Sequence, residues 1–457
     1  MNLEVLILAA GKGKRMRSSL PKVLHRLGGS SLLRHVHTSA SALDPDNVVV
    51  VYGHGGETVR EALADTDAQW VLQAEQRGTG HAVQLGLASL PEIDDSVVLV
   101  LYGDVPLIRT STLQPLIEQA HNGVLTLLSV RLDDPTGYGR IMRDRDANVL
   151  SIVEEADADD AERVIDEVSS GIIAVPGTLL RELLEKLDCD NAQGEYYLTD
   201  IVGHAAAAGI PIAAVLADDQ DEVLGINSRA QLAHVERIYQ RRVAQQLMDG
   251  GVALADPARL DVRGELHTGE DVFIDVGCVI EGSVTLGDRV QIGPYCVIRD
   301  SEIAADAQIL EHCVIDGATL GERASVGPLA RLRPGSRLAP DTKVGNFVEI
   351  KNAELGEGSK VNHLSYVGDS QLGRNVNIGA GTITCNYDGA NKHRTRIEDN
   401  VFVGSNTALV APVTLGKGAT VGAGSTISND VPAGELAVAR ARQKSVPGWQ
   451  RPRKDKK

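Results

Sequence analysis

The sequence predicts two architectures in one chain: an α/β domain, then one long helix, then an all-β parallel β-helix. Three observations carry that reading. In residues 1–227, apolar runs ending at glycine alternate with polar, alanine-rich segments. Residues 228–248 carry apolar side chains at helical spacing. From Ile274 onward an aliphatic residue returns at nearly every sixth position.

The α/β reading rests on the runs 3–10, 47–52 and 96–102, which look like buried strands. Helical segments at 57–64 and 80–90 lie between them. Strand, loop, helix repeated predicts a parallel sheet with ligands at the carboxyl ends of its strands. The first run leads into Leu8-Ala9-Ala10-Gly11-Lys12-Gly13-Lys14-Arg15-Met16. This is neither a P-loop nor a full GxGxxG, because Met16 stands at the third glycine. Between Val5 and Leu43 there is no acid, and Lys12, Lys14, Arg15, Arg17, Lys22, Arg26 and Arg34 all fall there. A basic, glycine-rich turn after a strand suits phosphate oxygens. Tyr102-Gly103-Asp104 ends the third run and brings a carboxylate to the same edge. A carboxylate beside phosphates repels them unless a divalent cation bridges the two, which implies Mg²⁺.

The helix at 228–248 has Leu232, Val235, Ile238 and Leu247 on one face, and Gly250-Gly251 ends it. The expected division is therefore 1–227, a linker helix at 228–250, and 251–457. Charge divides the same way. Residues 1–227 carry a net charge of −18 and residues 228–457 a net charge of +1, out of −17 for the chain.

The ladder runs Ile274, Ile280, Leu286, Ile292 and Ile298, then drops to a step of five at Ile303. It continues to Ile427 with occasional fives and one interruption at 379–396. All 25 rungs are Ile, Leu or Val. A period of six fits a solenoid whose coil has three short sides, with one aliphatic per side pointing to the axis. Equivalent positions then recur after 18 residues, or 17 where a five intervenes. Arg333 should stack on Lys351, about 5 Å away. Either an anion sits between them or the two cations splay into water. His363 should stack between Asn346 and Ala380, and a lone histidine on a solenoid face is more often structural than catalytic.

Aromatic residues are only 3% and cysteines number five. Cys189, Cys278, Cys296, Cys313 and Cys385 form no CxxC pair and no disulfide framework. The net acidity argues against binding of nucleic acid or of an anionic membrane. No apolar run reaches the ~18 residues of a membrane span, and the run at 5–10 is too short for a signal-peptide core. A reducing cytoplasm is the expected location.

The glycine loop with Arg15 and Pro21-Lys22 resembles the sugar-nucleotidyltransferase signature, and the ladder resembles the left-handed hexapeptide β-helices. More specific strings are VLQAEQ at 71–76, GTGHA at 78–82, DDPTGYGRI at 133–141, NAQGEYYLTD at 191–200 and NVNIGAGTITCNYDGAN at 375–391. Together they resemble one family, the bacterial bifunctional N-acetylglucosamine-1-phosphate uridylyltransferase/glucosamine-1-phosphate acetyltransferases. The likeness covers nearly the whole chain, apart from the basic tail after Gly448.

That resemblance implies synthesis of UDP-N-acetylglucosamine by a homotrimer. Glucosamine 1-phosphate is acetylated from acetyl-CoA in the C-terminal domain, at sites built from neighbouring chains. N-acetylglucosamine 1-phosphate is then joined to UTP in the N-terminal domain. It assigns Leu8, Ala9, Ala10 and Gly11 to the nucleotide, Arg15 and Lys22 to its phosphates, and Gln73, Gly78 and Thr79 to uracil. Tyr102 and Gly103 join the nucleotide- and sugar-binding residues just before Asp104, which with Asn227 would bind Mg²⁺. Gly139, Glu154 and residue 169 would line the sugar site, where Ser169 replaces the family's Asn. In the second site it assigns Arg333 and Lys351 to the sugar phosphate, His363 as general base, and Tyr366 and Asn377 to the sugar. Ala380, Asn386, Tyr387, Ser405, Ala423 and Arg440 would line the acetyl-CoA side. The five cations of residues 451–457 either reach CoA phosphates or remain solvated.

Overall fold

In the computed structural model, Asn2–Ala9 (β1) pairs in parallel with Asn47–Tyr52 (β2) on one side and with Ser96–Tyr102 on the other. The structure describes residues 2–11, 13–53, 55–90 and 93–454. Lys12 of the glycine loop, the side chain of Lys14 and the last three residues of the basic tail lie outside the described residues.

The remaining strands of this sheet are Gln69–Leu72 (β3), Ser96–Tyr102 (β4), Leu125–Arg131 (β5), Gly139–Arg143 (β6), Val149–Val153 (β7), Glu167–Pro176 (β8) and Ile212–Leu216 (β9). The spatial order is β9-β5-β8-β4-β1-β2-β3, with the β6–β7 hairpin attached to β8. The sheet is mixed, not wholly parallel as the alternation of runs suggested. Strand β8 is antiparallel to β4, β5 and β6. The reason lies in the connection. A parallel neighbour needs a long crossover, usually a helix. Between β5 and β8 there is only the β6–β7 hairpin among the described elements.

Alternation along β1 sends its side chains to two cores. Leu3, Val5 and Ile7 pack with Val36 of α1 (Leu32–Ser41) and Leu113 of a later helix, Thr110–His121. Leu6 and Leu8 pack with Val83 of the helix Thr79–Leu87 and with Leu180 of the helix Gly177–Leu184. The carboxyl ends of β1 and β4 stay together because the Gly103 N–H donates to the Leu8 carbonyl at 3.0 Å.

The long helix spans Arg229–Asp249. The chain divides into two compact units inside it, Met1–Tyr239 and Gln240–Lys457. Val235 and Ile238 pack with Leu27, Leu32, Leu107 and Ile226 of the first unit. Gln240 belongs to the second unit and exchanges two hydrogen bonds of 2.8 Å with the backbone of Val262.

The second unit is a parallel β-helix made of an 11-stranded and a 17-stranded sheet of short strands. Registers follow the sequence spacing: Ile274 pairs with Ile292, Ile292 with Ile309, and Ile309 with Val326. Every rung is buried, none more than 5% exposed, and they form one continuous cluster. The coil also continues one step into the expected interruption. The strand Ile383–Cys385 pairs Thr384 with Leu409, so Thr384 is a rung six residues after Ile378. An aliphatic pattern misses it. Its hydroxyl accepts from the Gly368 N–H at 2.8 Å, which satisfies the polar atom inside the coil.

Corners fall two or three residues after most rungs, and these are left-handed. One corner column is Tyr295, His312, Leu329, Phe347 and Leu364, with φ between 48° and 58°. A second column holds Arg289, Asp306, Arg323 and Asp341. There Arg289 pairs with Asp306 at 2.7 Å and Arg323 with Asp341 at 2.8 Å.

Candidate functional site

At the carboxyl end of the first sheet, Leu8, Ala9, Ala10, Gly11, Lys22, Gln73, Gly78, Thr79, Tyr102 and Asp104 line one cavity of about 530 Å³. Gln76 and Glu195 line it too, though sequence reasoning did not name them. Gln76 lies within VLQAEQ and Glu195 within NAQGEYYLTD, and the Gln76 Nε2 donates to the Gln73 carbonyl at 3.2 Å. Gly78 has φ +108°, and a Cβ there would stand 2.5 Å from the Tyr196 carbonyl oxygen. Only glycine fits that turn into the helix Thr79–Leu87. Gln73 is buried, and its Nε2 donates to the Gly78 carbonyl at 3.1 Å. Arg15 stands exposed on the short turn Lys14–Met16 and is not among the lining residues. Gly103 is not among the lining residues either; it makes the strand-end contact with Leu8.

A second cavity, of about 290 Å³, shares Thr79, Tyr102, Asp104 and Glu195 with the first. Gly139, Glu154, Ser169 and Asn227 line it, as do Tyr138, Tyr197 and Thr199, which sequence reasoning left unassigned. Burial pushes the Glu154 carboxyl above its ordinary value, against a bond from Thr199 Oγ1 at 2.8 Å. The Tyr102 hydroxyl is raised by burial, then by the charges of Glu154 and Asp104. Ser169 Oγ accepts from the Gly171 N–H at 3.1 Å, so this hydroxyl is engaged by its own strand.

Lys22 stands between the two expected metal ligands. Its Nζ donates to Asp104 and, at 3.0 Å, to Asn227 Oδ1. Among the described residues no group of three or more His, Cys, Asp or Glu could hold a metal. The donor set fits Mg²⁺ all the same. Mg²⁺ commonly takes one or two protein oxygens and completes its shell with water and substrate phosphate. Asp104 and Asn227 offer two oxygens that already converge on one cation.

In the β-helix, register puts Arg333 over Lys351, since Leu332 pairs with Ile350. Each cation has its own acid: Arg333 Nη1 meets Glu349 Oε1 at 3.0 Å, and Lys351 Nζ meets Asp369 Oδ2 at 3.3 Å. Tyr366 pairs with Glu349 in the same sheet. His363 and Asn377 belong to the other sheet. His363 is exposed, and its Nδ1 bonds Asn346 Oδ1 at 3.0 Å, the neighbour that the spacing predicted. A donor role for Nδ1 leaves Nε2 as the proton acceptor.

Ala380 follows the Ile378 rung, and its carbonyl accepts from Asn406 N. Ser405 lies one coil further on, close under Gly379. Asn386 is buried and donates to Asp369. Tyr387 is exposed, its hydroxyl donating to the Gly389 carbonyl at 2.6 Å. Arg440 reaches the carbonyl of Ala423. The structure thus gathers Arg333, Lys351 and Tyr366 in one sheet, and His363 and Asn377 in the other.

Comparison with known proteins agrees with both units. Residues 5–170 match the MobA-like NTP transferase domain. Residues 262–339 match the GMPPB C-terminal domain, and residues 394–429 the hexapeptide repeat of succinyl-transferase. The "Bifunctional protein GlmU" of Ralstonia nicotianae is 55% identical over 456 residues, covering 100% of both chains. Those of Marinobacter nauticus and Azoarcus sp. are 55% and 56% identical, covering 99% of this chain and 99% and 100% of theirs. This chain, a nucleotidyltransferase unit followed by a hexapeptide β-helix, belongs to the GlmU family of bifunctional proteins.

Proposed function

We propose that the chain makes UDP-N-acetylglucosamine by acetylating glucosamine 1-phosphate and then joining the product to UTP. The observation that carries this reading is the pair of adjoining cavities that share Asp104, Tyr102 and Thr79. Their volumes suit a nucleotide beside a sugar phosphate.

In the uridylyl step, backbone N–H groups of the glycine loop and Lys22 hold the triphosphate. Gln73 and Gly78 read the uracil edge, while Glu154 and Gly139 seat the sugar. A phosphate oxygen of the sugar attacks the α-phosphorus of UTP. The bond from that phosphorus to the bridging oxygen breaks, and pyrophosphate leaves. Bound between Asp104 and Asn227, Mg²⁺ would neutralise phosphate charge as it builds.

In the acetyl step, Arg333 and Lys351 hold the sugar phosphate. His363 Nε2 takes a proton from the attacking amine, and Asn346 fixes the ring through Nδ1. The nitrogen bonds the thioester carbon and the CoA thiol leaves. A homotrimer is supported by the corner of Tyr295, Leu329, Phe347 and Leu364, which are 50%, 46%, 55% and 63% exposed. An exposed apolar row this long is a surface for a second copy. It adjoins His363, so a neighbouring chain seated there would complete the acetyl site. The free cysteines suit a reducing cytoplasm, where both co-substrates are supplied.

The test is product analysis with glucosamine 1-phosphate, acetyl-CoA, UTP and Mg²⁺. UDP-N-acetylglucosamine, free CoA and pyrophosphate are expected together. Absence of any one of them sinks the bifunctional reading. A monomer by light scattering would sink the trimer.

A further inference from the structure

We infer that Asp369 is a positioning residue that joins the sugar-phosphate end and the acetyl-CoA end of the acetyl-transfer site through one carboxylate. This rests on the reading of Lys351 and Asn386 just given.

Asp369 sits at a left-handed corner, φ 47°, two residues past the Val367 rung, and is 7% exposed. Its Oδ1 accepts from Asn352 Nδ2 at 2.7 Å. Its Oδ2 accepts from Lys351 Nζ at 3.3 Å and from Asn386 Nδ2. Lys351 belongs to the preceding coil, whereas Asn386 opens the loop that interrupts the ladder. The backbone carbonyl of Asp369 also accepts from Thr395 N at 3.2 Å, where the chain returns from that loop. One residue therefore ties both ends of the loop to the coil that carries Lys351.

The chemistry requires a carboxylate. All three side-chain neighbours present donors, and only an ionised carboxyl accepts from all of them with no hydrogen of its own. Burial alone would push the Asp369 carboxyl up. The bonds from Asn352, Asn386 and Lys351 outweigh it and hold the group below its ordinary range. An amide at this position would turn its own N–H toward one of the donors. Turned toward the Oδ2 side, it would take the anchor from Lys351 and Asn386 together; turned toward Asn352, it would still remove the negative charge that draws Lys351.

The experiment compares full-length wild type with Asp369→Asn in steady-state acetyl transfer. The KM values for glucosamine 1-phosphate and for acetyl-CoA should each rise about tenfold, the scale of one charge-assisted hydrogen bond, with kcat falling less. Cross-effects distinguish positioning from structure. Asn386→Ala should raise the KM for glucosamine 1-phosphate, and Lys351→Met the KM for acetyl-CoA. In the Asp369→Asn background neither substitution should carry its cross-effect further. Unchanged constants in Asp369→Asn, or a change in kcat alone, would overturn the inference. If Asp369→Asn does not fold, the single Asn386→Ala and Lys351→Met variants decide, and absent cross-effects overturn it. No acetyl transfer by the wild-type protein would overturn the underlying reading and this inference together. Wild-type transfer with an unaltered Asp369→Asn overturns the inference alone.

Discussion

The ammonium of Lys22 donates to the carboxamide of Asn227 at 3.0 Å although 205 residues separate them in sequence. The same ammonium meets Asp104, at the end of the strand next to the glycine loop. One cation thus gathers two oxygens from distant segments at the junction of two cavities. Positive charge is what that point of the fold is built to receive.

Lys22→Ala should therefore cost uridylyl transfer at least about a hundredfold, the scale seen when one preorganised charge-stabilising group is lost. Asp104→Ala should abolish it. Pyrophosphate release reports the loss, and thiol release from acetyl-CoA should continue at the wild-type rate. Loss of both activities would point to a folding defect.

His363→Ala should slow acetyl transfer by about a hundredfold to ten-thousandfold, the range for a positioned general base. Asn346→Ala should cost less, because it frees the ring without removing it. Thiol release measured across pH checks both, with UTP turnover as the control. Acetylation near the wild-type rate in His363→Ala would make that histidine structural.

Glu154 has a raised carboxyl value, caused first by burial. A group raised on folding contributes most stability below its unfolded value and loses it as pH rises through the folded one. Glu154→Gln removes that dependence. The variant should melt above wild type at about pH 7, and its advantage should shrink toward about pH 4.5. Paired thermal melts across that window check it, and a constant difference would contradict the sign.

Thr384→Val would make the ladder more uniform, yet it should destabilise the β-helix. The hydroxyl that accepts from the Gly368 N–H at 2.8 Å disappears, leaving a buried donor unpaired. Such a loss costs about 1–3 kcal/mol. Denaturant unfolding of the full chain measures it.

The β-helix was legible because its signal is local and repeated. A six-residue period sets which side chain faces the axis, and 18 or 17 residues return the chain to the same place. Stacking of Asn346 with His363, and of Arg333 with Lys351, follows from that arithmetic. Thr384 was not legible, since a buried hydroxyl is acceptable only where a backbone partner stands, and the partner, Gly368, comes from the preceding coil. The direction of Glu167–Pro176 was hidden for a related reason. A run buried on both faces reads alike in either direction, and only the hairpin before it turns the strand round.

By itself the sequence determined the division into an acidic α/β part and a near-neutral solenoid, the rungs and the glycine loop. Each depends on residues close in the chain or on a fixed period. Tertiary structure alone decided that Lys22 lies between Asp104 and Asn227, that Arg15 stands outside the cavity, and that Asp369 holds Lys351 and Asn386 together. Those outcomes depend on where distant segments meet once apolar surfaces are buried, and no spacing along the chain encodes a meeting of that kind.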